Sequence, residues 1–137
     1  MGNRNWRLFT DGGARGNPGP AAFGYYLIAP DGQIILGKGL LGNQTNNVAE
    51  YQGIIHGLRE ALDMGVEKLE VYSDSEVAVK QLNGEYKVKV EGLKPLFSKA
   101  KELAAKFPGG VGFFHIRREL NKVADGLVNE ALDGAGN

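Results

Sequence analysis

A chain of 137 residues, 42% hydrophobic and 23% charged, has the size and composition of an ordinary globular unit, so one domain over residues 1–137 is expected. The absence of cysteine excludes disulfides, thiolate catalysis and cysteine-held zinc, and suits a cytoplasmic protein. Sixteen basic residues balance sixteen acidic ones, so net charge gives no pointer to nucleic acid.

The opening "MGNRNWRLF" lacks the apolar core of a secretion signal, and "AAFGYYLIA", the longest nearly apolar run, is too short to span a bilayer. No membrane is expected as a partner. "WRLFTD" (6–11) and "FGYYLIAP" (23–30) carry the aromatic and branched residues of strands. "DG" at 31–32, before "QIILGKGL", predicts a hairpin into a third strand. After "TNN" the period changes. Val48, Tyr51, Ile54, Ile55, Leu58, Ala61 and Leu62 recur at helical spacing, and Gly65 closes the helix. "KLEVYSD" (68–74) predicts a fourth strand, followed by a helix "SEVAVKQL" and a loop "NGEYKVKVEG". "LKPLFSKAKELAAKF" predicts a helix with Pro95 in its first turn, and "VGFFHIRR" (111–118) a fifth strand. The last helix runs from an N-cap at Asn121 to a stop at Gly134. The order βββαβααβα implies an α/β fold, a five-stranded mixed sheet with helices on both faces.

In such sheets ligands gather at the carboxyl ends of parallel strands. Asp11, before the side-chain-poor stretch "GGARGNPGP", and Asp74 both end predicted strands. At 100° per residue Glu50 and Asp125 fall at the edges of their helices' apolar stripes, half-buried in the first turns. Alone, each acid also fits a turn or helix-dipole role. Together they form a set of carboxylates that repel unless cations neutralise them. An all-oxygen set without cysteine or a histidine pair favours Mg²⁺ or Mn²⁺, and two such ions could clamp an in-line displacement at phosphorus.

The segments "TDGGARGNPGP", "TNNVAEY", "YSDSEVAV" and "RRELNKVADGLVNEAL" resemble, in order, the four signature segments of the type 1 ribonuclease H family, over about residues 5–133. The resemblance implies a ribonuclease H-like fold and an endonuclease that hydrolyses the RNA strand of an RNA–DNA hybrid. It implies two metal ions on Asp11, Glu50, Asp74 and Asp125, and products with 5′-phosphate and 3′-hydroxyl ends. It further implies nucleic-acid contacts around Gly12 and Asn17 and at Thr45, Asn46 and Asn47. Asparagine amides suit that task because they can both donate to and accept from a minor groove. The protein is expected to act as a monomer.

The chain departs from that family's pattern in three places. The loop "RRELN" lacks the histidine that many relatives carry before the last acid; Arg118 is the candidate in its stead, with a surface arginine as the alternative. His115 is expected in the fifth strand and His56 on the polar side of the first helix. No long basic protrusion appears, but residues 80–106 carry seven lysines against three glutamates, a solvated face or a reduced phosphate-facing patch led by Lys80, Lys87 and Lys89. Glu76 stands where relatives often place a base-reading glutamine. Double-stranded RNA, other nucleic acids, or binding without catalysis are therefore the alternatives to hybrid cleavage.

Overall fold

The computed structural model describes residues 5–135, without the Ala135 side chain. Strands β1 (Trp6–Ala14), β2 (Gly19–Ile28) and β3 (Ile34–Gln44) lead into helix α1 (Asn46–Asp63). Then follow β4 (Lys68–Ser73), α2 (Glu76–Leu82), α3 (Lys94–Ala104), β5 (Gly110–His115) and α4 (Lys122–Ala135). The strands form one sheet in the order β3-β2-β1-β4-β5. The hairpin strands β1, β2 and β3 pair antiparallel, and β1, β4 and β5 pair parallel. This is the expected mixed sheet. No described helix is long and apolar enough to cross a membrane.

Alternation along the strands sorts residues between two unequal faces. On one, Leu8, Leu27, Leu69, Val71 and Phe113 meet α1, α2 and α3 through Ile54, Leu58, Val79, Leu82 and Leu103 in one buried core. On the other, α4 packs Val128 and Leu132 against Ala22. Beyond α4, one register row crosses all five strands on that second face: Leu36, Tyr26, Phe9, Tyr72, Phe114. Phe9 and Tyr72 stack at 5.0 Å and Tyr72 and Phe114 at 5.4 Å, while the row's ends, Leu36 and Phe114, stay exposed.

Several boundaries differ from expectation. β1 continues through Gly12 and Gly13 to Ala14, so Asp11 does not end its strand; the antiparallel partner β2 carries the pairing on from Asp11↔Gly24 to Ala14↔Ala21. The parallel pairing of β1 with β4 does stop at Thr10↔Ser73. β5 ends at His115, and Arg118–Leu120 form a single 3₁₀ turn, so neither Arg117 nor Arg118 lies on a strand. A second such turn, Glu91–Leu93, closes the predicted loop before α3. Gly134 lies within α4, which runs on to Ala135, whereas Gly65, at φ +78°, does terminate α1. Val123, in the first turn of α4, is half exposed.

Helix α1 lies unusually close to β1, and two glycines make that possible. A Cβ on Gly12 would meet the Ala49 carbonyl oxygen at 2.1 Å, and one on Gly53 would meet the Asp11 carbonyl oxygen at 2.6 Å. Alanine in a helix interior is normally favoured over glycine by about 1 kcal/mol. We expect the reverse at this contact: Gly53→Ala should lower stability by roughly 1–3 kcal/mol, the cost of overpacking. Gly126→Ala, on the exposed side of α4 with open space around it, should raise stability by about 0.5–1 kcal/mol. Urea unfolding of both variants checks the pair.

Candidate functional site

One residue past the last parallel pair, β4 turns into α2 while β1 runs on with β2, and a crevice opens between Asp11 and Asp74. Helix α1 delivers Glu50 to the same point. Its Oε1 accepts a 2.7 Å hydrogen bond from the Gly12 N–H, a contact that requires the close approach at Gly12. Asp11, Glu50 and Asp74 each present a carboxylate oxygen within 4.8 Å of the others. Asp125, from the first turn of α4, stands outside that group of three but lines the same cleft.

The electrostatics of the cluster is unfavourable without a cation. Burial first, then the charge of Asp74, pushes the Asp11 carboxyl up to about 7; hydrogen bonds from Glu50 and the Gly12 N–H oppose this, and Asp125 adds to it. Burial and the charges of Asp11 and Asp74 hold Glu50 well above the ordinary carboxylate range. A hydrogen bond between the two carboxyls lowers Asp11 and raises Glu50. The donor set is all oxygen, partly buried and unpaired by any described lysine or arginine in an ion pair, which fits a hard divalent cation.

The residues expected at a nucleic-acid contact divide into two groups. Gly12, Asn46, Asn47 and Arg118 line the cleft with the four acids; Asn17, Thr45, Glu76, Lys87 and Lys89 do not. Three of these polar side chains already hold the fold. Thr45 caps α1 by accepting from the Val48 N–H, Asn46 Oδ1 accepts from the Ala14 N–H at 2.8 Å, and Asn17 Oδ1 accepts from the Asn46 N–H at 3.0 Å. The β1–β2 turn is thereby laced to the start of α1. Each Oδ1 of Asn17 and Asn46 has one lone pair engaged by the backbone, and neither NH₂ group has a described partner. Glu76 is exposed in the first turn of α2.

The lysine-rich segment is not one patch. Lys94 pairs with Glu91 at 2.6 Å, Lys99 and Lys106 with Glu102, and Lys101 donates to the Leu82 carbonyl. Lys80 sits over the Tyr86 ring. Lys87 and Lys89 line a groove beside the cleft with Gln81, Tyr86 and Leu93, and Asn47 borders both depressions. His56 is not on a polar side: it is half-buried and stacks on Phe23 at 4.1 Å, its pKa lowered by burial and by Arg59. His115 is exposed at the end of β5.

Two residues in or beside the cleft carried weaker sequence signals. Arg15, the one cation in the glycine-rich stretch, lines the cleft and pairs with Asp133 of α4 at 2.7 Å. Asn121 was expected only as a helix cap, and its side chain does something else. It is buried, and its Nδ2 donates to the Thr10 carbonyl at 2.9 Å and to Asp74 Oδ2 at 3.4 Å.

Because the folded pKa of Asp11 is raised, the unfolded state loses its proton first as pH rises, and stability falls between about pH 4 and pH 7. Asp11→Asn removes that penalty. In metal-free buffer the variant should be more stable than wild type by about 1–4 kcal/mol near pH 7 and by little near pH 4. Saturating Mg²⁺ should shrink the difference by stabilising wild type alone. Thermal melts across pH, with and without Mg²⁺, check it.

Residues 9–131 match the family described as reverse transcriptase-like. The chain is 41% identical over 128 residues to a bifunctional protein of Mycobacterium tuberculosis, covering 92% of this chain and 35% of that protein. It is 41% identical over 128 residues to ribonuclease HI of Halobacterium salinarum, covering 93% and 64%. The chain thus spans about a third of the mycobacterial relative and under two-thirds of the archaeal one. Among solved structures, LC11-RNase H1 in complex with an RNA/DNA hybrid superimposes with a TM-score of 0.90 at 40% identity, covering 97% of this chain and 100% of that one. Sheet order, acidic cleft and these likenesses agree: the chain belongs to the reverse transcriptase-like family and, within it, to the type 1 ribonucleases H.

Proposed function

We propose that the protein is an endonuclease that hydrolyses the RNA strand of RNA–DNA hybrids, leaving 5′-phosphate and 3′-hydroxyl ends. The observation that carries this reading is the three-carboxylate cluster, set where parallel pairing ends and electrostatically unsatisfied without cations. The relative solved with an RNA/DNA hybrid supports the choice of duplex.

In this reading Asp11, Glu50, Asp74 and Asp125 would hold two divalent ions, Mg²⁺ or Mn²⁺, with Asp11 on the central strand. Such ions neutralise the acids, activate water and stabilise the leaving oxygen. The chain's own residues do the rest. Gly12, whose Cβ position is taken up by the α1 backbone, presents only its main chain to the scissile strand along the cleft wall. Amide donors of Asn17, Asn46 and Asn47, with Thr45 beside them, meet the acceptor atoms and 2′-hydroxyls of a minor groove. Arg118 holds a phosphate oxygen through its guanidinium donors. Lys87 and Lys89 meet phosphates of the other strand along their groove. Glu76, beside that path, weakens phosphate contact and so tunes which duplex is preferred.

Incubation with labelled RNA–DNA, RNA–RNA and DNA–DNA duplexes in Mg²⁺, Mn²⁺ or chelator tests the activity. Cut RNA in the hybrid alone, dependent on metal and abolished by Asp74→Asn, is the expected outcome. Cleavage of double-stranded RNA replaces the substrate assignment, and binding without cleavage replaces the enzyme assignment. For the lysine groove, Lys87→Ala with Lys89→Ala should raise KM at nearly constant kcat. The double variant should flatten log affinity against log salt by up to about 1.8. An unchanged slope returns both lysines to a solvated face.

A further inference from the structure

Asn121 bonds four residues in or beside the cleft, two of them, Thr10 and Asp74, from distant parts of the chain. Through its side chain it binds the carbonyl of Thr10, the peptide that leads into Asp11, and the carboxylate of Asp74. Through its backbone it accepts from the Asp125 N–H at 3.1 Å, the first bond of α4, and donates to the Arg118 carbonyl at 2.9 Å. It is 1% exposed. The orientation of the carboxamide is fixed by chemistry: both neighbours are pure acceptors, so both must face the NH₂, and its two protons are spent on them. The opposite atom, Oδ1, is buried without a described partner. Leaving a buried acceptor unsatisfied costs roughly 1–3 kcal/mol, which a residue present only to pack or cap would not incur. Nor does the side chain cap α4, since a cap uses its oxygen and here the nitrogen does the bonding.

We propose that Asn121 is a positioning residue for the acidic cluster: it holds Asp74 against β1 and sets the start of α4 so that Asp125 and Arg118 face the same cleft. This rests on the reading of the cluster as a divalent-cation site. Partners that orient ligating carboxylates in this way are worth 10–100-fold in metal affinity or activity when removed.

The test measures Mn²⁺ binding to the protein without nucleic acid, by the electron paramagnetic resonance signal of free Mn²⁺. Asn121→Ala should raise the Mn²⁺ concentration for half-saturation by about 10–100-fold. It should lower kcat at fixed Mg²⁺, with partial recovery at high Mg²⁺ and an unchanged KM for hybrid. A folded Asn121→Ala protein that melts lower yet binds Mn²⁺ as wild type does overturns the proposal, because packing alone then explains the residue. If that variant does not fold, the wild-type protein decides. The Asn121 carboxamide resonances should move on Mg²⁺ saturation and in Asp74→Asn. Those of Asn83, whose Nδ2 donates to the Phe113 carbonyl, should not. Static Asn121 resonances in both experiments overturn it. Because none of these binding and resonance readouts needs a duplex, failure of hybrid cleavage by wild type is a separate result.

Discussion

The approach of α1 to β1 governs the rest of the site. A helix normally rides about 10 Å above a sheet, separated by side chains on both partners. Here Gly12 and Gly53 remove those side chains at the crossing, and backbone meets backbone beside Asp11. Only then does a glutamate in the first turns of α1 reach the Gly12 N–H and bring its carboxylate within 4.8 Å of that of Asp11. The buried hydrogen bond from Tyr51 to Gln81, at 2.7 Å, ties the next residue of α1 to α2, so the helix cannot slide along the strand without cost.

That geometry is held against an electrostatic penalty. Three carboxylates share a partly buried volume, and the fold keeps them there by spending stability gained in the large core beneath α1, α2 and α3. The penalty makes the cluster selective for what relieves it. Neutral ligands offer nothing, and monovalent cations offer less than divalent ones in a low-dielectric cleft. A hydrogen-bond scaffold of uncharged groups surrounds the acids: Gly12 N–H on Glu50, the Asn121 amide on Asp74. Such donors stabilise carboxylates without competing for the cation, as a nearby lysine would.

The surface around the cleft shows the same division of labour. Asparagines at 17 and 46 are structural through their oxygens and available through their nitrogens. Most lysines after residue 90 are engaged with glutamates or a carbonyl of their own neighbourhood, which leaves Lys87 and Lys89 as the pair beside the cleft. Balanced charge overall thus coexists with a local basic groove next to an acidic centre.

Much of this was legible in the sequence because it is local. Strand alternation, the helical stripe from Val48 to Leu62 and the turn at Asp31–Gly32 depend on residues within a few positions of one another. The places of Glu50 and Asp125 near helix starts, and of Asp74 just past β4, were legible too, since they follow from those periods; Asp11 lies inside its strand and not at its end. Tertiary structure alone decided where periodicity is silent. β1 outran its predicted end because an antiparallel partner lay beside it. β5 fell short, and its last residues became a 3₁₀ turn. His56 left the solvent to stack on Phe23 from β2. Lys101 left the lysine run to donate to the Leu82 carbonyl of α2. Asn121 read as a cap by position, and became a tie to Thr10 and Asp74 because a contact across 111 residues of chain leaves no periodic trace.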